Sequence, residues 1–494
     1  MLKKFSNVCV RIMNRFLPDP FLFAIILTIV VFIVGCLATW QNPWDMAWAW
    51  AGKGVTTEAG GMWNLLAFSM QMALVLVLGS AFASAPVIKK ILGAIASLAK
   101  NKMSAIVVVT AVSTVCCWLN WGFGLIVGAL LAKEVARRVK DVDYPLLIAS
   151  AYSGFVIWHA GLSGSIPLSI TNGYKIADVT YQAELGESIL HPMNIIMCLV
   201  VLIGMPLINY AMHPDKDHTI TVNPAVLQDA EERTYKVETP AEKIEHSKIL
   251  WAITVIMGFC YIIRFFIDPK FGAGKLDLNV VNAIFLFLGL LAHGDLRRYV
   301  DAIGDAAGGA AGVLLQFPFY AGIMGIMVAA KLDADGNVIN PSLAALISDF
   351  FVNISNNVTF PVFTFLSAGI VNFFVPSGGG QWAVQGPIVM PAATGILEKM
   401  GKAAVFVFDE SKNAYFLDPN SPTFEVAKAY YGRAAMGVAW GDQWTNMIQP
   451  FWALPALGVA GLSAKDIMGY LVTILIFVAI VAILGFLAWG MIFA

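Results

Sequence analysis

Long stretches without a charged residue constrain this chain more than any other feature of its sequence. The hydrocarbon core of a bilayer is about 30 Å thick and a helix rises about 1.5 Å per residue, so one span needs about 20 apolar residues. Stretches of this kind, without Asp, Glu, Lys or Arg, include residues 21–40, 63–88, 192–212, 306–330 and 467–494. The sequence therefore predicts an all-α polytopic membrane protein.

Composition and charge exclude two other classes of protein. Of the 494 residues, 59% are hydrophobic and 13% are charged, whereas a soluble domain carries about a quarter charged residues. The net charge of -1 and the absence of a Lys/Arg-rich block argue against a nucleic-acid partner. Residues 1–20 are basic and amphipathic, which predicts a helix on the cytoplasmic surface before a first span that is retained.

Two uncharged runs are interrupted by helix-breaking residues. Residues 103–132 contain the pentapeptide NWGFG at 120–124, and the run at 350–397 contains VPSGGGQW at 375–382. Non-helical backbone at membrane depth is tolerated only inside protein or beside a cavity. We therefore expect two re-entrant helical hairpins, at 103–132 and 357–399, each of which enters and leaves on one side of the membrane.

The charges of the loops predict the orientation. With the N-terminus in the cytoplasm and both hairpins re-entrant, the basic loops fall inside, together with a polar linker at 213–248. The acidic segment around Asp178 and a polar insertion at 401–432 then fall outside. This multi-pass topology has nine crossings and two hairpins. We expect the protein in a bacterial inner membrane.

Weak internal similarity predicts two repeats of inverted topology. The tetrapeptide LLAF at 65–68 resembles LLQF at 314–317, and a hairpin break follows each at a similar distance. We place the first repeat at 21–212, a connecting span at 249–267 and the second repeat at 279–494. A broken span with a polar middle follows each hairpin.

The hairpin tips are candidate substrate sites. Helix termini inside the membrane present free N–H groups and the positive ends of helix dipoles, which attract a carboxylate. The substrate-binding candidates are Asn120, Trp121, Gly122, Gly124, Ser377, Gly378, Gly379, Gly380, Gln381, Trp382 and Trp444. The alternative is that the glycines only permit close helix packing and that the tryptophans are ordinary packing residues.

Two ionisable residues lie within the predicted spans, and such residues are expensive to bury. The candidates for coupling transport to an ion are Asp442, Asn372, Asn446, His159 and Ser163. The carboxylate of Asp442 favours H⁺ as the coupling ion, whereas the Asn- and Ser-rich tips favour Na⁺. The sequence does not decide between the two ions. The alternative to a coupling role is that Asp442 only accepts hydrogen bonds from helix-terminal N–H groups and that His159 is only a hydrogen-bonded core residue. No metal or nucleophile motif points to an enzyme, and we expect no cofactor apart from Na⁺ as a possible coupling ion.

Several segments resemble the bacterial short-chain fatty acid transporters. They include LNWGFGLIVGALLAKEVARR from Leu119, NFFVPSGGGQWAVQGPIVMPAA from Asn372 and GDQWTNMIQPFWALPALGVAGL from Gly441, and the resemblance covers nearly the whole chain. It implies secondary active uptake of short-chain fatty acids or acetoacetate, coupled to H⁺ or Na⁺. It also implies paired hairpins in an elevator-like transport domain that moves against a scaffold, often in a homodimer.

Other functions of the same architecture remain as alternatives. They are an ion exchanger, an amino-acid carrier or a dicarboxylate carrier, although a dicarboxylate site should contain Arg or Lys at depth and the uncharged runs contain none. A membrane-embedded enzyme would need a convergent nucleophile or metal set, and a channel would show conductance rather than saturable uptake.

Overall fold

The computed structural model describes residues 20–52, 61–176, 178–227, 234–268, 277–332, 338–372, 378–448 and 452–492. Within these ranges the protein is mostly helical. The helices of the first part are α1 (Pro20–Thr39), α2 (Pro43–Ala51), α3 (Leu66–Ala83), α4 (Pro86–Ala96), α5 (Lys102–Leu119), α6 (Trp121–Arg138), α7 (Tyr144–Ser153), α8 (Ser165–Thr171) and α9 (Pro192–Ala211). The predicted amphipathic helix at 1–20 lies, except for Pro20, outside the described residues.

The second part of the chain begins after a polar segment. Its helices are α10 (Pro240–Glu245), α11 (Lys248–Ile267), α12 (Leu278–His293), α13 (Leu296–Ala307), α14 (Ala311–Val328), α15 (Leu343–Ile354), α16 (Phe360–Asn372), α17 (Gly378–Lys399), α18 (Phe424–Thr445), α19 (Ala453–Ala460) and α20 (Ala464–Ile492). Helix α11 coincides with the segment predicted as a connecting span.

The same succession of helices occurs twice. A long helix and a short one (α3 and α4; α14 and α15) precede a helical pair (α5 and α6; α16 and α17). A helix that ends in a 3-10 turn follows, at Tyr144–Ile157 in the first part and Phe424–Ile448 in the second, and then a short and a long apolar helix. The inverted topology of the two parts stays a prediction.

Each helical pair packs as an antiparallel hairpin. In the first, a Cβ at Gly124 would lie 2.4 Å from the backbone nitrogen of Cys117, and one at Gly128 would lie 2.6 Å from Ser113 Oγ. These pairs are centred on Asn120, so the chain reverses where the sequence predicts the break. In the second hairpin, Gln381 Nε2 donates to the Ala368 carbonyl at 2.8 Å, and residues 373–377, which connect the two helices in the sequence, lie outside the described residues.

Residues suited to helix ends explain where these helices begin. Asn120 has extended backbone (φ -153°, ψ 121°), and its side chain accepts a hydrogen bond from the N–H of Phe123, so it caps α6. Asp143 caps α7 in the same way through the N–H of Leu146. Proline occupies the first turn of α7 and α9, where its missing N–H costs nothing.

Five helices in the described part are long and apolar enough to cross a membrane. They are Leu66–Ala83, Lys102–Leu119, Pro192–Ala211, Pro240–Ile267 and Ala464–Ile492, and a bent pair from Leu296 to Met327 gives up to six. Four shorter apolar helices begin at Ala24, Tyr144, Leu278 and Phe360. The protein is therefore a membrane protein, whereas the count of nine crossings stays a prediction.

Two small sheets correct the expectation of an all-α fold. One has the strand order β1-β2-β6-β5, formed by Tyr174–Ile176, Val179–Tyr181, Ala414–Leu417 and Phe406–Asp409, and the other pairs β3 (Lys331–Leu332) with β4 (Val338–Asn340). Strand β2 runs parallel to β6, so the larger sheet joins the segment after α8 to the insertion after α17. Short β-branched and aromatic stretches in polar surroundings have no helical periodicity, and a count of apolar runs overlooks them.

The core lies where the two hairpins meet the helices with 3-10 ends. Helix α16 packs along α18, and α5 and α6 pack against α7 and its 3-10 turn. The outer helices exchange partners between the two parts, because α3 packs on α12 and α14 packs on α1. Completely buried large side chains of this core include Trp382, Trp440, Tyr152, Tyr320, Phe155 and Phe365.

Candidate functional site

A buried histidine and a buried aspartate form a close pair inside the protein. His159 follows the 3-10 turn after α7, and Asp442 lies in the last turns of α18. Their side chains are 0% exposed, and His159 Nδ1 lies 2.8 Å from Asp442 Oδ2. The two ionisable residues singled out in the sequence therefore form one pair.

Backbone hydrogen bonds determine which ring nitrogen of His159 carries a proton in this arrangement. The N–H of Ile166, in the first turn of α8, donates to His159 Nε2 at 3.0 Å, so Nε2 accepts. Nδ1 is then the protonated nitrogen of a neutral imidazole and donates to Asp442. Asp442 Oδ1 is buried without a hydrogen-bond partner in the described part of the chain, which leaves one carboxylate oxygen for a further proton.

Three buried amide side chains, on the first hairpin and on the segment that carries Asp442, have fixed orientations. Gln443 Oε1 accepts from the N–H groups of His159 and Ala160, at 2.9 and 3.0 Å. Asn446 Oδ1 accepts from Trp158 Nε1 at 2.9 Å, and Asn120 Oδ1 accepts from a backbone N–H. Each of these partners can only donate, so the amide atom that contacts it must be the oxygen. The second atom of each amide group is therefore the nitrogen.

Those amide nitrogens are donors without acceptors. Asn120 Nδ2, Gln443 Nε2 and Asn446 Nδ2 are buried, and so is Trp121 Nε1, and none has a hydrogen-bond partner among the described residues. Unsatisfied buried donors are uncommon because each costs about 1–3 kcal/mol. We call these four residues, together with His159, Asp442 and Trp158, the central cluster.

Aromatic rings connect the two ends of the central cluster. Trp158 stacks on His159 with ring centroids 4.0 Å apart, and Trp121 contacts Trp158 at 5.7 Å and Trp452 at 5.0 Å. The first hairpin tip therefore reaches the His–Asp pair through tryptophans. This arrangement combines N–H donors with apolar walls.

The glycine run at the start of α17 packs into the same region. A Cβ on Gly378 would lie 2.3 Å from His159 Cε1 and 2.8 Å from Trp158 Cη2, and one on Gly379 or Gly380 would clash with Phe68 or Tyr320. These glycines thus allow the second hairpin to approach the pair closely. Ser377, the preceding candidate, lies outside the described residues.

Two further candidates join the second hairpin and the first tip to the central cluster. Asn372, at the end of α16, donates through Nδ2 to the Asp442 carbonyl and to Thr445 Oγ1, both at 2.8 Å. Ser163 Oγ accepts from the N–H of Trp121 at 3.0 Å. Both side chains are completely buried.

The remaining candidates lie away from the central cluster. Gly122 packs against the backbone of α3, and Gly124 packs within the first hairpin. Gln381 bonds within the second hairpin through Nε2, and Trp382 packs on Tyr174 with centroids 4.9 Å apart. The indole of Trp444 donates to the Leu475 carbonyl at 2.7 Å on the side of α20.

Sequence reasoning did not single out several residues of this region. Gln443 follows Asp442 directly, so the polar run after Trp440 was the available signal. Thr445, which donates to the Gly369 carbonyl at 3.0 Å, belongs to the same run. Nothing in the sequence singles out Phe68 and Tyr320, because these aromatic residues contribute by surrounding the glycines. No group of three His, Cys, Asp or Glu side chains that could hold a metal ion occurs within the described ranges.

Comparisons with known proteins agree with the resemblance noted in the sequence. The profile of the family described as "Short chain fatty acid transporter" matches residues 1–413 and 414–489. A protein of Escherichia coli (strain K12) named "Putative short-chain fatty acid transporter" is 39% identical over 489 residues, which are 98% of this chain and 99% of that protein. A Haemophilus influenzae protein of the same name is 39% identical over 498 residues, 98% of this chain and 99% of its own length.

Among solved structures, the chain is similar to the YdaH transporter of Alcanivorax borkumensis. The TM-score is 0.48 and the sequence identity is 14%, over 96% of this chain and 97% of that one.

Proposed function

This chain belongs to the short-chain fatty acid transporter family, and we propose from that premise that it is a secondary active carrier that moves short-chain monocarboxylates together with protons. Butyrate and acetoacetate are representative substrates. The observation that carries the proposal is the set of buried N–H donors without acceptors on the segments that form and flank a buried His–Asp pair.

The donors suit a carboxylate. Its two oxygens together accept about four hydrogen bonds, and the central cluster offers four donor nitrogens without acceptors, those of the Asn120, Gln443 and Asn446 amides and the Trp121 indole. Each hydrogen bond to a charged group contributes about 1.5–3 kcal/mol. The rings of Trp121, Trp158 and Trp452 would enclose a short apolar tail.

The His–Asp pair supports coupling to a proton. An ionised Asp442 in this buried site would repel a bound carboxylate by about 3 kcal/mol at a separation of about 5 Å and an effective dielectric constant of about 20. Protonation of the pair removes this repulsion, so proton binding and carboxylate binding reinforce each other. The substrate anion and one proton would then cross as a neutral unit.

Alternating access would follow from movement of the two hairpins. We propose that α5 to α8 and α16 to α19 form the moving body, elevator-like, and that the outer helices form the scaffold. The hairpins would be re-entrant, with inverted repeats at 21–212 and 279–494, in a homodimer. The orientation follows the loop charges, with a cytoplasmic N-terminus in the bacterial inner membrane.

The test is uptake of labelled butyrate by proteoliposomes under a proton gradient, a sodium gradient or neither. We expect accumulation with a proton gradient that is acidic outside, in the absence of Na⁺. Accumulation that requires Na⁺ would replace the proton by sodium as the coupling ion. Failure of butyrate and acetoacetate to accumulate under any gradient would reject the substrate class, and a steady conductance would indicate a channel.

A further inference from the structure

A buried arginine lies well away from the central cluster. Arg433 belongs to α18, nine residues before Asp442, which corresponds to about 14 Å along the helix. The residue is 3% exposed. Arg433 directly follows the polar insertion predicted at 401–432, but α18 already begins at Phe424, and the side chain is packed inside the protein.

The guanidinium has few partners. Its nitrogens donate to the carbonyls of Trp489 and Asn357 at 3.3 and 3.4 Å, and it lies over the ring of Tyr430, 4.6 Å from the centroid. Within the described ranges, no carboxylate forms an ion pair with it, whereas the neighbouring Lys428 pairs with three glutamates. A buried cation without an anion is costly, because desolvation is not offset by a nearby opposite charge.

A cavity of about 330 Å³ opens beside this arginine. Its walls include Met400, Val426, Ala429, Tyr430 and Trp489, with His191 stacked on Trp489 at 4.3 Å between centroids. Among the described residues of the wall, the carboxylate is that of Glu425, which is 75% exposed and bonds to Lys428 at 3.3 Å. A mostly apolar cavity with one convergent cation is a common form of small-ligand site.

We propose that this cavity is a second binding site for a small monocarboxylate, which Arg433 holds. The planar guanidinium matches both oxygens of a carboxylate, and the apolar wall accommodates a short alkyl tail. The site lies toward the sheet that contains the insertion and is separate from the central cluster. The inference rests on the proposed function only for the choice of butyrate as the ligand.

The competing explanation is purely structural. Trp489 lies in the last turn of α20, whose carbonyls lack helical partners, so Arg433 serves as a cap for that helix end. Capping of this helix end requires the charge of Arg433 but does not require an open cavity beside it. The two explanations therefore differ in what happens when the cavity is filled and Arg433 is left in place.

The experiment measures the number of labelled butyrate molecules that bind to each purified full-length chain in nanodiscs. We expect two in the unmodified protein and one in Arg433→Gln. Ala429→Phe keeps the arginine and fills the cavity, and we expect one here as well. Equal binding in Ala429→Phe and the unmodified protein would overturn the proposal in favour of the cap, even if Arg433→Gln fails to fold.

Competing probes define the chemistry of the site. Butanol, which has the same tail without the charge, should not displace butyrate from the Arg433-dependent site, and chloride should displace it weakly. Displacement by chloride as strong as by butyrate would overturn the assignment to carboxylates. The variant Asn446→Ala separates this inference from the proposed function, because it should lose the central site and keep the Arg433-dependent one. If the central site does not bind butyrate, Asn446→Ala and the unmodified protein will both bind one molecule.

Discussion

His159 Nδ1 lies 2.8 Å from Asp442 Oδ2, although 283 positions separate the two residues in the chain. Both side chains are completely buried, and the backbone N–H of Ile166 holds the other ring nitrogen as an acceptor. The pair therefore has one exchangeable position left, the second oxygen of Asp442, and the helix that carries Asp442 packs directly on the second hairpin. In the proposed mechanism, Asp442 would therefore link proton binding to the position of the second hairpin.

Substitution of Asp442 by Asn should uncouple transport from the proton gradient. The amide is neutral, like the protonated acid, so butyrate should still bind and exchange across the membrane. Accumulation driven by a proton gradient should fall at least tenfold, which is the loss of about 1.4 kcal/mol or more of driving force. Uptake and counterflow in proteoliposomes measure the two properties separately.

Asp466→Asn is the matched control for this substitution. Asp466 caps the start of α20 at the surface, where it accepts from the N–H of Ser463 at 2.8 Å. Coupling should be unchanged in that variant. Full proton-driven accumulation by Asp442→Asn would remove the pair from the coupling mechanism.

A methyl group at Gly378 should impair transport, because the glycine lies against the His159 ring. The added Cβ would lie 2.3 Å from Cε1 of that ring, and overpacking of this kind costs about 1–3 kcal/mol. We expect Gly378→Ala to lower the butyrate uptake rate at least tenfold. Gly93→Ala is the control, since Gly93 lies in α4 with no atom within 4 Å of its added Cβ. Equal uptake by the two variants would show that the second hairpin does not need close approach.

The places where helices break could be predicted from the sequence, because they depend on local residue types. The Asn120 cap marks a break in the position expected, whereas Gly378, Gly379 and Gly380 lie in the first turn of α17, and the pattern of uncharged runs indicated the helical class. Capping and backbone freedom are properties of a few adjacent residues. Such properties are readable without knowledge of the tertiary structure.

Contacts between distant segments could not be predicted in this way. His159 and Asp442 each stood out as buried ionisable residues, but their contact depends on how the two repeats pack. Trp444 lies two residues after Asp442, about 200° around the helix, and therefore faces α20 rather than the pair. Asn446, four residues after Asp442, returns to the same side and bonds to Trp158.

A negative charge in place of an unpaired amide should oppose carboxylate binding. In Asn446→Asp and Gln443→Glu, the oxygen that accepts from Trp158 or from the His159 N–H can remain, and the free donor becomes a second oxygen. We expect the KM for butyrate to rise about 10- to 100-fold in each variant, because a hydrogen bond to a charged group contributes about 1.5–3 kcal/mol.

The control for an added charge is Asn413→Asp. Asn413 is exposed in the turn between β5 and β6, with φ of 47°, which Asp also tolerates. Its KM for butyrate should match that of the unmodified protein. An unchanged KM in Asn446→Asp and Gln443→Glu would place the carboxylate elsewhere.

Lys428 should stabilise the segments outside the central cluster through its acidic partners. Its ammonium lies 3.1 Å from Glu184, 3.3 Å from Glu187 and 3.3 Å from Glu425. The carboxylates of Glu184 and Glu425 are 63% and 75% exposed, so most of the effect should come from Glu187, which is 16% exposed. Lys428→Met should lower the free energy of unfolding by about 1–3 kcal/mol, since a buried carboxylate loses its partner.

The same substitution should make stability more dependent on pH. Burial raises the pKa of Glu187 above its ordinary value of about 4.5, so the folded protein holds this proton more tightly than the unfolded chain. Stability therefore falls as pH rises from about 4.5 through the raised pKa. Without Lys428 the pKa of Glu187 should rise further, and the loss of thermal stability between pH 5 and pH 8 should be larger than in the unmodified protein.

The control is Lys412→Met, at a side chain that is 62% exposed, which should leave the pH profile of stability unchanged. If Lys428→Met has the same profile as the unmodified protein, Glu187 is excluded as the group responsible.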